Sequence, residues 1–216
     1  SLIDRFHMMA KGPQALSVDS RGSEAARETM HTEGGILMAS HMGNADLAGM
    51  VLGTTNKVRR VHQVQYTSTH DPYLTLMNQV LDPDKRPVII SLNDQMGLAG
   101  LTITQALRDG HIVAMKGDRV IDDRTVKVKF LGEDISFPAG PFLVAALTRV
   151  PVVTMGCFAE GKGYRLLTTG PKTYAFTSRK NRDADLQGWV QDYALTLETW
   201  ARRYPDQWYN FHDIWT

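Results

Sequence analysis

Cysteine is all but missing from this chain. Of 216 residues only Cys157 carries a thiol, so no internal disulfide can form and a reducing compartment is the simpler setting. Net charge is equally scarce: 24 Lys and Arg face 23 Asp and Glu, for a formal charge of +1. Such a balance gives no general attraction to nucleic acid. Long apolar runs are lacking too. The longest, "FPAGPFLVAALT", carries two prolines and falls short of the roughly 18 residues a membrane span needs. No signal peptide is legible. The chain opens at Ser1 with "SLIDRFHMMAK", which reads like the middle of a helix, so a preceding segment with room for a membrane anchor is expected. Catalytic signatures are sparse as well. No serine stands in a G-x-S-x-G elbow, and no H-E-x-x-H or paired-cysteine spacing offers zinc ligands, so neither a metal nor a cofactor is expected.

What is present is a core. Hydrophobic residues make up 43% of the chain, enough for one domain spanning 1–216. The runs "GGILMAS" (34–40), "VRRVHQVQY" (58–66), "RPVIISL" (86–92) and "HIVAMKG" (111–117) read as strands. Helical patterns near 45–53, 73–81 and 98–109 separate them. That alternation predicts an α/β fold, a mainly parallel central sheet flanked by helices on both faces. In "TVKVKFLGEDISF" (125–137), Val126, Val128 and Phe130 alternate with lysines before a turn at Gly132-Glu133-Asp134, which predicts a β-hairpin. A proline-opened helix, "PAGPFLVAALTRV", follows, then "PVVTMGCF" and "YRLLTTG" as strands. Cys157, inside the first of these two, reads as a buried inert thiol. Leu186, Trp189, Val190, Tyr193, Leu197 and Trp200 recur at helical spacing over 185–204, an amphipathic aromatic C-terminal helix. All four tryptophans lie in the last 28 residues, either to pack on the sheet or to face lipid.

The chemistry concentrates in "MASHMGNADLAG" (38–49). On one continuous helix, His41 and Asp46 would diverge by roughly 140°. A strand ending at His41, a turn through Met42-Gly43-Asn44 and a helix from about Ala45 can bring them together. Asn44 suits the N-cap, and Asp46 then falls in the first turn, where the helix dipole favours its charge. A carboxylate that accepts from one imidazole nitrogen leaves the other free to take a proton, the base and orienter of a triad. With no nucleophilic serine or cysteine in sight, such a base would activate a hydroxyl on the substrate. A buried, hydrogen-bonded histidine beside a capping aspartate explains the pair equally well. His7, His31, His62, His70 and His111 have no partner at useful spacing, and His212 sits in the aromatic tail, where packing is the simpler account.

Three further stretches accompany this one in order: "MKGDRV" (115–120), "VKFLGEDISFPAGPFLVAALTRVPVV" (128–153) and "YPDQWYNFHDIW" (204–215). Together with "SHMGNAD" they resemble the lysophospholipid acyltransferase superfamily, whose signature is H-x4-D/E, and within it the bacterial lipid A acyltransferase-like branch. There the histidine motif reads H-x-G-N-x-E/D and the chain ends in a YP-x-QW aromatic tail. The likeness runs from about residue 35 to 215. Asp46 stands where many members carry glutamate, and the tail reads "WYNFHDIW", so an acceptor other than lipid A is expected. The E-G-T-R motif of glycerophospholipid acyltransferases is absent, with "KGDR" in a similar place.

The resemblance implies acyl transfer from a thioester, on acyl carrier protein or coenzyme A, to a hydroxyl or amine of a lipid-like acceptor. His41 would be the general base and Asp46 its orienter. It also implies peripheral contact with a membrane, at the cytoplasmic face of the inner membrane. Alternatives are a glycerophospholipid-type acyltransferase and a non-catalytic module that binds lipid or acyl carrier on the same fold. Oxyanion donors are sought among the N–H groups of Gly43, Asn44 and Gly117 and the Arg119 side chain. Arg119, oriented by Asp118, either holds a phosphate or forms a plain surface pair with it. Gly140, opening the "FPAG" helix, either leaves N–H groups for an anion or only shapes the turn. Asn93, Asp94 and Gln95 line the pocket or cap a helix, and Tyr66 is a further lining candidate. Arg124, Lys127 and Lys129 meet anionic headgroups or an acidic carrier, or merely blunt a strand edge.

Overall fold

The structure is a computed structural model that describes residue 11 and residues 16–53, 59–67, 74–75, 78–79, 86–93, 98–120, 122–210 and 214–215. The chain begins with β1 (Val18–Asp19), α1 (Glu24–Thr32), β2 (Gly35–Ala39) and α2 (Ala45–Gly53). Next come β3 (Val61–Gln65), β4 (Val88–Ser91), α3 (Leu98–Arg108) and β5 (Ile112–Lys116). A hairpin of β6 (Thr125–Phe130) and β7 (Glu133–Pro138) leads into α4 (Gly140–Thr148). Then follow β8 (Val152–Glu160), β9 (Gly163–Lys172), α5 (Arg182–Arg203) and a short 3-10 turn at Pro205–Gln207. The helix expected near 73–81 falls largely outside the described residues.

Seven strands form one sheet in the order β1-β9-β8-β2-β5-β3-β4. From β8 to β4 every neighbouring pair is parallel. Only β9 runs against its neighbour β8, with β1 parallel to β9 at the edge. Central parallel strands are covered on both faces, which is why β2 reads as unbroken apolar sequence. All five of its residues are buried. Ile36 and Met38 enter one core with α3, α4, α5 and the hairpin. Leu37 and Ala39 enter the other, with Ala26 and Met30 of α1 and Leu47 and Ala48 of α2. Period-2 side-chain alternation thus divides one strand between two hydrophobic layers.

The hairpin is a second small sheet. Val126, Val128 and Phe130 alternate inward, joined by Ile135 and Phe137. Its turn lies at Leu131-Gly132, one position earlier than the sequence pattern indicates. Both residues have positive φ, 54° and 97°, and the strained Leu131 N–H donates to Glu198 Oε2 at 2.7 Å. The outer edge of β6 does not rely on its lysines alone. Gln191 accepts from Lys129 N and donates back to Lys129 O, both at 2.9 Å, and Gln187 donates to Lys127 O. Side chains of α5 therefore satisfy an edge that would otherwise invite another strand. Lys129 itself pairs with Asp134 at 3.0 Å on the exposed face.

All four tryptophans meet another ring: Trp189 on Tyr174 and Phe176, Trp200 on Phe158, and Trp208 and Trp215 on Phe130. Trp215 stays half exposed.

Candidate active site

His41 and Asp118 meet because β2 and β5 are adjacent, parallel and in register. Ala39 pairs with Lys116 at the C-terminal ends of the two strands, and each residue two places further on projects beyond the sheet. Ligands bind at that edge of a parallel sheet. The ladder continues past the strands, with Gly117 N–H donating to Ala39 O at 3.0 Å. Beyond it, one carboxylate grips His41 twice. Asp118 Oδ2 accepts from the backbone N–H of His41 at 2.7 Å, and Oδ1 lies 2.8 Å from His41 Nδ1. The Asp118 side chain is fully buried, while the imidazole keeps 21% exposure. A buried carboxylate is tolerated because both oxygens are engaged. With Nδ1 held by Asp118, Nε2 is the ring nitrogen that this carboxylate does not engage.

The carboxylate hydrogen-bonded to the imidazole is Asp118, which the sequence had placed beside Arg119. The local expectations for the turn do appear. Asn44 caps α2, its Oδ1 accepting from Leu47 N at 3.1 Å, and Asp46 lies in the first helical turn. Local spacing reveals a cap. Pairing across two strands 77 residues apart depends on sheet order, which the motif does not carry.

Two glycines make the close approaches possible. Gly43 has φ 59°, and a Cβ there would sit 2.2 Å from Cys157 O. A Cβ on Gly117 would fall 3.0 Å from Met38 Sδ and 3.3 Å from the Tyr193 ring. That ring is buried, and its hydroxyl donates to Ala39 O at 2.7 Å, bracing the strand end before His41. Burial, then the nearby Asp118 charge, holds the Tyr193 phenol protonated far above its ordinary range.

The expected backbone oxyanion donors are already engaged. Gly43 N–H donates to Gln207 O and Asn44 N–H to Cys157 O, both at 2.7 Å, and Gly117 N–H to Ala39 O. Gly140 opens α4 with open space around it, but Pro141 has no N–H, and those of Phe142 and Leu143 donate to Ala139 O. What remains near His41 is Arg119, whose Nη2 donates to Asn210 Oδ1 at 3.2 Å. Asn93 ties the ends of β3 and β4, accepting from Thr67 N at 2.7 Å, while Asp94 and Gln95 lie outside the described residues. Tyr66 is exposed. Cys157 is buried and its thiol is pushed up to about 12 by desolvation, so it offers no nucleophile at neutral pH.

The sequence missed the C-terminal strap. Met42 bridges Trp208 in antiparallel fashion, flanked by the Gly43–Gln207 bond and by Tyr209 N–H donating to His41 O at 2.9 Å. The Gln207 side chain accepts from Ala159 N at 2.8 Å and donates to Ala159 O at 3.0 Å. Tyr204 stacks on Phe158 at 4.4 Å. The His41 turn is therefore held on one side by β5 and on the other by the tail. Among the described residues no group of three or more His, Cys, Asp or Glu side chains is placed to hold a metal ion.

A family model described as bacterial lipid A biosynthesis acyltransferase matches residues 8–216. The phosphatidylinositol mannoside acyltransferase of Mycolicibacterium smegmatis is 22% identical over 195 residues, 84% of this chain and 57% of that protein. The protein of the same name from Mycobacterium tuberculosis is 25% identical over 142 residues, 61% of this chain and 40% of its own length. The chain thus spans about half the length of the curated relatives it matches.

Proposed function

The chain belongs to the bacterial lipid A biosynthesis acyltransferase family, and from that premise we propose that it is a single acyltransferase domain acting on a lipid-like acceptor. The observation that carries the mechanism is the Asp118–His41 contact at 2.8 Å, at the ligand-binding edge of the sheet. His41 Nε2 takes the proton from the acceptor hydroxyl or amine as its oxygen or nitrogen attacks the thioester carbonyl. The carbonyl π electrons move to oxygen. When the tetrahedral adduct collapses, the C–S bond breaks and the imidazolium returns the proton to the departing thiolate. Asp118 keeps the ring oriented and steadies the imidazolium. Asp46, the carboxylate of the H-x4-D spacing, takes the supporting role at the start of α2.

The donor is an acyl thioester on acyl carrier protein or coenzyme A. Phosphatidylinositol mannoside, named for the mycobacterial relatives, is one acceptor to assay. Contact with the cytoplasmic face of a membrane belongs to the same reading. It is supported by exposed Leu98 and Leu101 on α3 and Leu147 on the contacting α4. Among the described residues no helix is long and apolar enough to cross a membrane.

The test is thiol release from acyl carrier protein and coenzyme A thioesters, with extracted lipid as acceptor, for wild type and His41→Ala. General-base catalysis contributes on the order of 10²–10⁴-fold. A loss of at least about a hundredfold is expected. Equal release by the two proteins would make His41 structural and end this mechanism.

A further inference from the structure

Four of the six buried side-chain nitrogens that lack a hydrogen-bond partner among the described residues stand on the segments tied to the His41 turn: Asn44 Nδ2, Arg119 Nε, Trp208 Nε1 and Asn210 Nδ2. All four are N–H donors. The orientation of both amides is fixed by their other ends, because Asn44 Oδ1 accepts from Leu47 N and Asn210 Oδ1 from Arg119 Nη2. Burying a donor without an acceptor is costly, and such groups are uncommon in folded proteins. A chance packing fault would scatter them and mix donors with acceptors. Here they gather on three segments joined in a closed circuit. His41 bonds Asp118, Arg119 follows it and bonds Asn210, and Tyr209 before Asn210 donates back to His41 O.

We infer that the C-terminal strap completes the active site. Asn210 is a positioning residue for Arg119, and Arg119 Nε, Asn210 Nδ2 and Trp208 Nε1 form a pocket for an anionic oxygen of the substrate. The inference rests on the acyltransferase reading for its ligand. The anion has three sources: a phosphate of the acyl donor, a phosphate of the acceptor, or the oxyanion of the tetrahedral adduct. One guanidinium with neutral N–H donors suits each of them.

The experiment compares steady-state thiol release by the full chain for wild type, Trp208→Phe, Asn210→Ala and Asn210→Asp. Trp208→Phe keeps an aromatic ring beside Phe130 while removing the N–H together with the pyrrole half of the indole. Asn210→Ala is expected to lose about tenfold or more, as for removal of a preorganised donor. Asn210→Asp decides the matter. Its carboxylate still accepts from Arg119, more strongly than the amide, but turns a negative oxygen towards the pocket. The pocket requires Asp to be worse than Ala. A merely structural strap requires Asp to be as good as Ala or better, and that result overturns the inference, as does wild-type activity in Trp208→Phe and both Asn210 variants. A rise in donor KM assigns the anion to the donor phosphate, and a rise in acceptor KM to the acceptor phosphate. A fall in kcat alone assigns it to the oxyanion. If wild type releases no thiol, or His41→Ala releases as much, the acyltransferase reading fails separately. Calorimetric titration of the same proteins with inorganic phosphate then tests the pocket. Binding weakened in the order wild type, Ala, Asp supports it, and equal or absent binding ends it.

Discussion

Two histidine pairs sit at opposite ends of the same sheet. At the C-terminal ends of β2 and β5, His41 faces a buried carboxylate 2.8 Å away. At the N-terminal ends of β3 and β5, His62 Nε2 lies 3.0 Å from His111 Nδ1, with the rings stacked 5.0 Å apart. Asp118 offers His41 Nδ1 a buried acceptor and leaves Nε2 on the other side of the ring. Two imidazoles facing each other share one proton and resist a second. Burial first, then His111 and Arg60, lower the pKa of His62. The same side chain meets a carboxylate at one end of the sheet and a second imidazole at the other.

The comparison breaks most sharply at Asp118. Asp118→Asn keeps the shape and removes the charge, and thiol release is expected to fall by about 10²–10⁴-fold, with Asp46→Asn costing less. Equal losses in the two variants would contradict a ranking of Asp118 above Asp46. Gly43→Ala attacks the turn rather than the charge. It combines a left-handed residue with a clash against Cys157 O, and is expected to lower unfolding stability by about 2–4 kcal/mol in a denaturant titration. Gly140→Ala, with ordinary φ and open space, is expected to change stability by about 0.5 kcal/mol or less.

The smallest effect belongs to the other histidine pair. Because folding lowers the His62 pKa, the unfolded chain binds more protons between the folded pKa and about 6.5, the ordinary value. Stability contributed by neutral His62 is full above about pH 6.5 and declines as pH falls through that window. His62→Gln is expected to flatten that slope while leaving thiol release near wild type. A slope unchanged by the substitution would mean other groups carry it.

How much of this the sequence announced depends on distance along the chain. The Asn44 cap, the Asp46 first turn and the strand ending before His41 are local, and "SHMGNADL" carries them. The buried alternation of Val126, Val128 and Phe130 was equally legible. The Asp118 contact was not, because β5 enters the sheet between β2 and β3, out of chain order. Counting two residues past each strand end would have found the pair, had that adjacency been known. The His62–His111 pair and the strap over His41 were hidden for the same reason: each joins segments that only the tertiary fold brings together.

The most direct test of the central claim is the protonation of the His41 ring, read by ¹⁵N NMR of the imidazole nitrogens in wild type and Asp118→Asn, with His41→Gln to assign the signals. A proton on Nδ1 and a bare Nε2 at neutral pH in wild type, with that preference lost in Asp118→Asn, is the result expected if Asp118 orients the base. A neutral ring carrying its proton on Nε2 in wild type would contradict it.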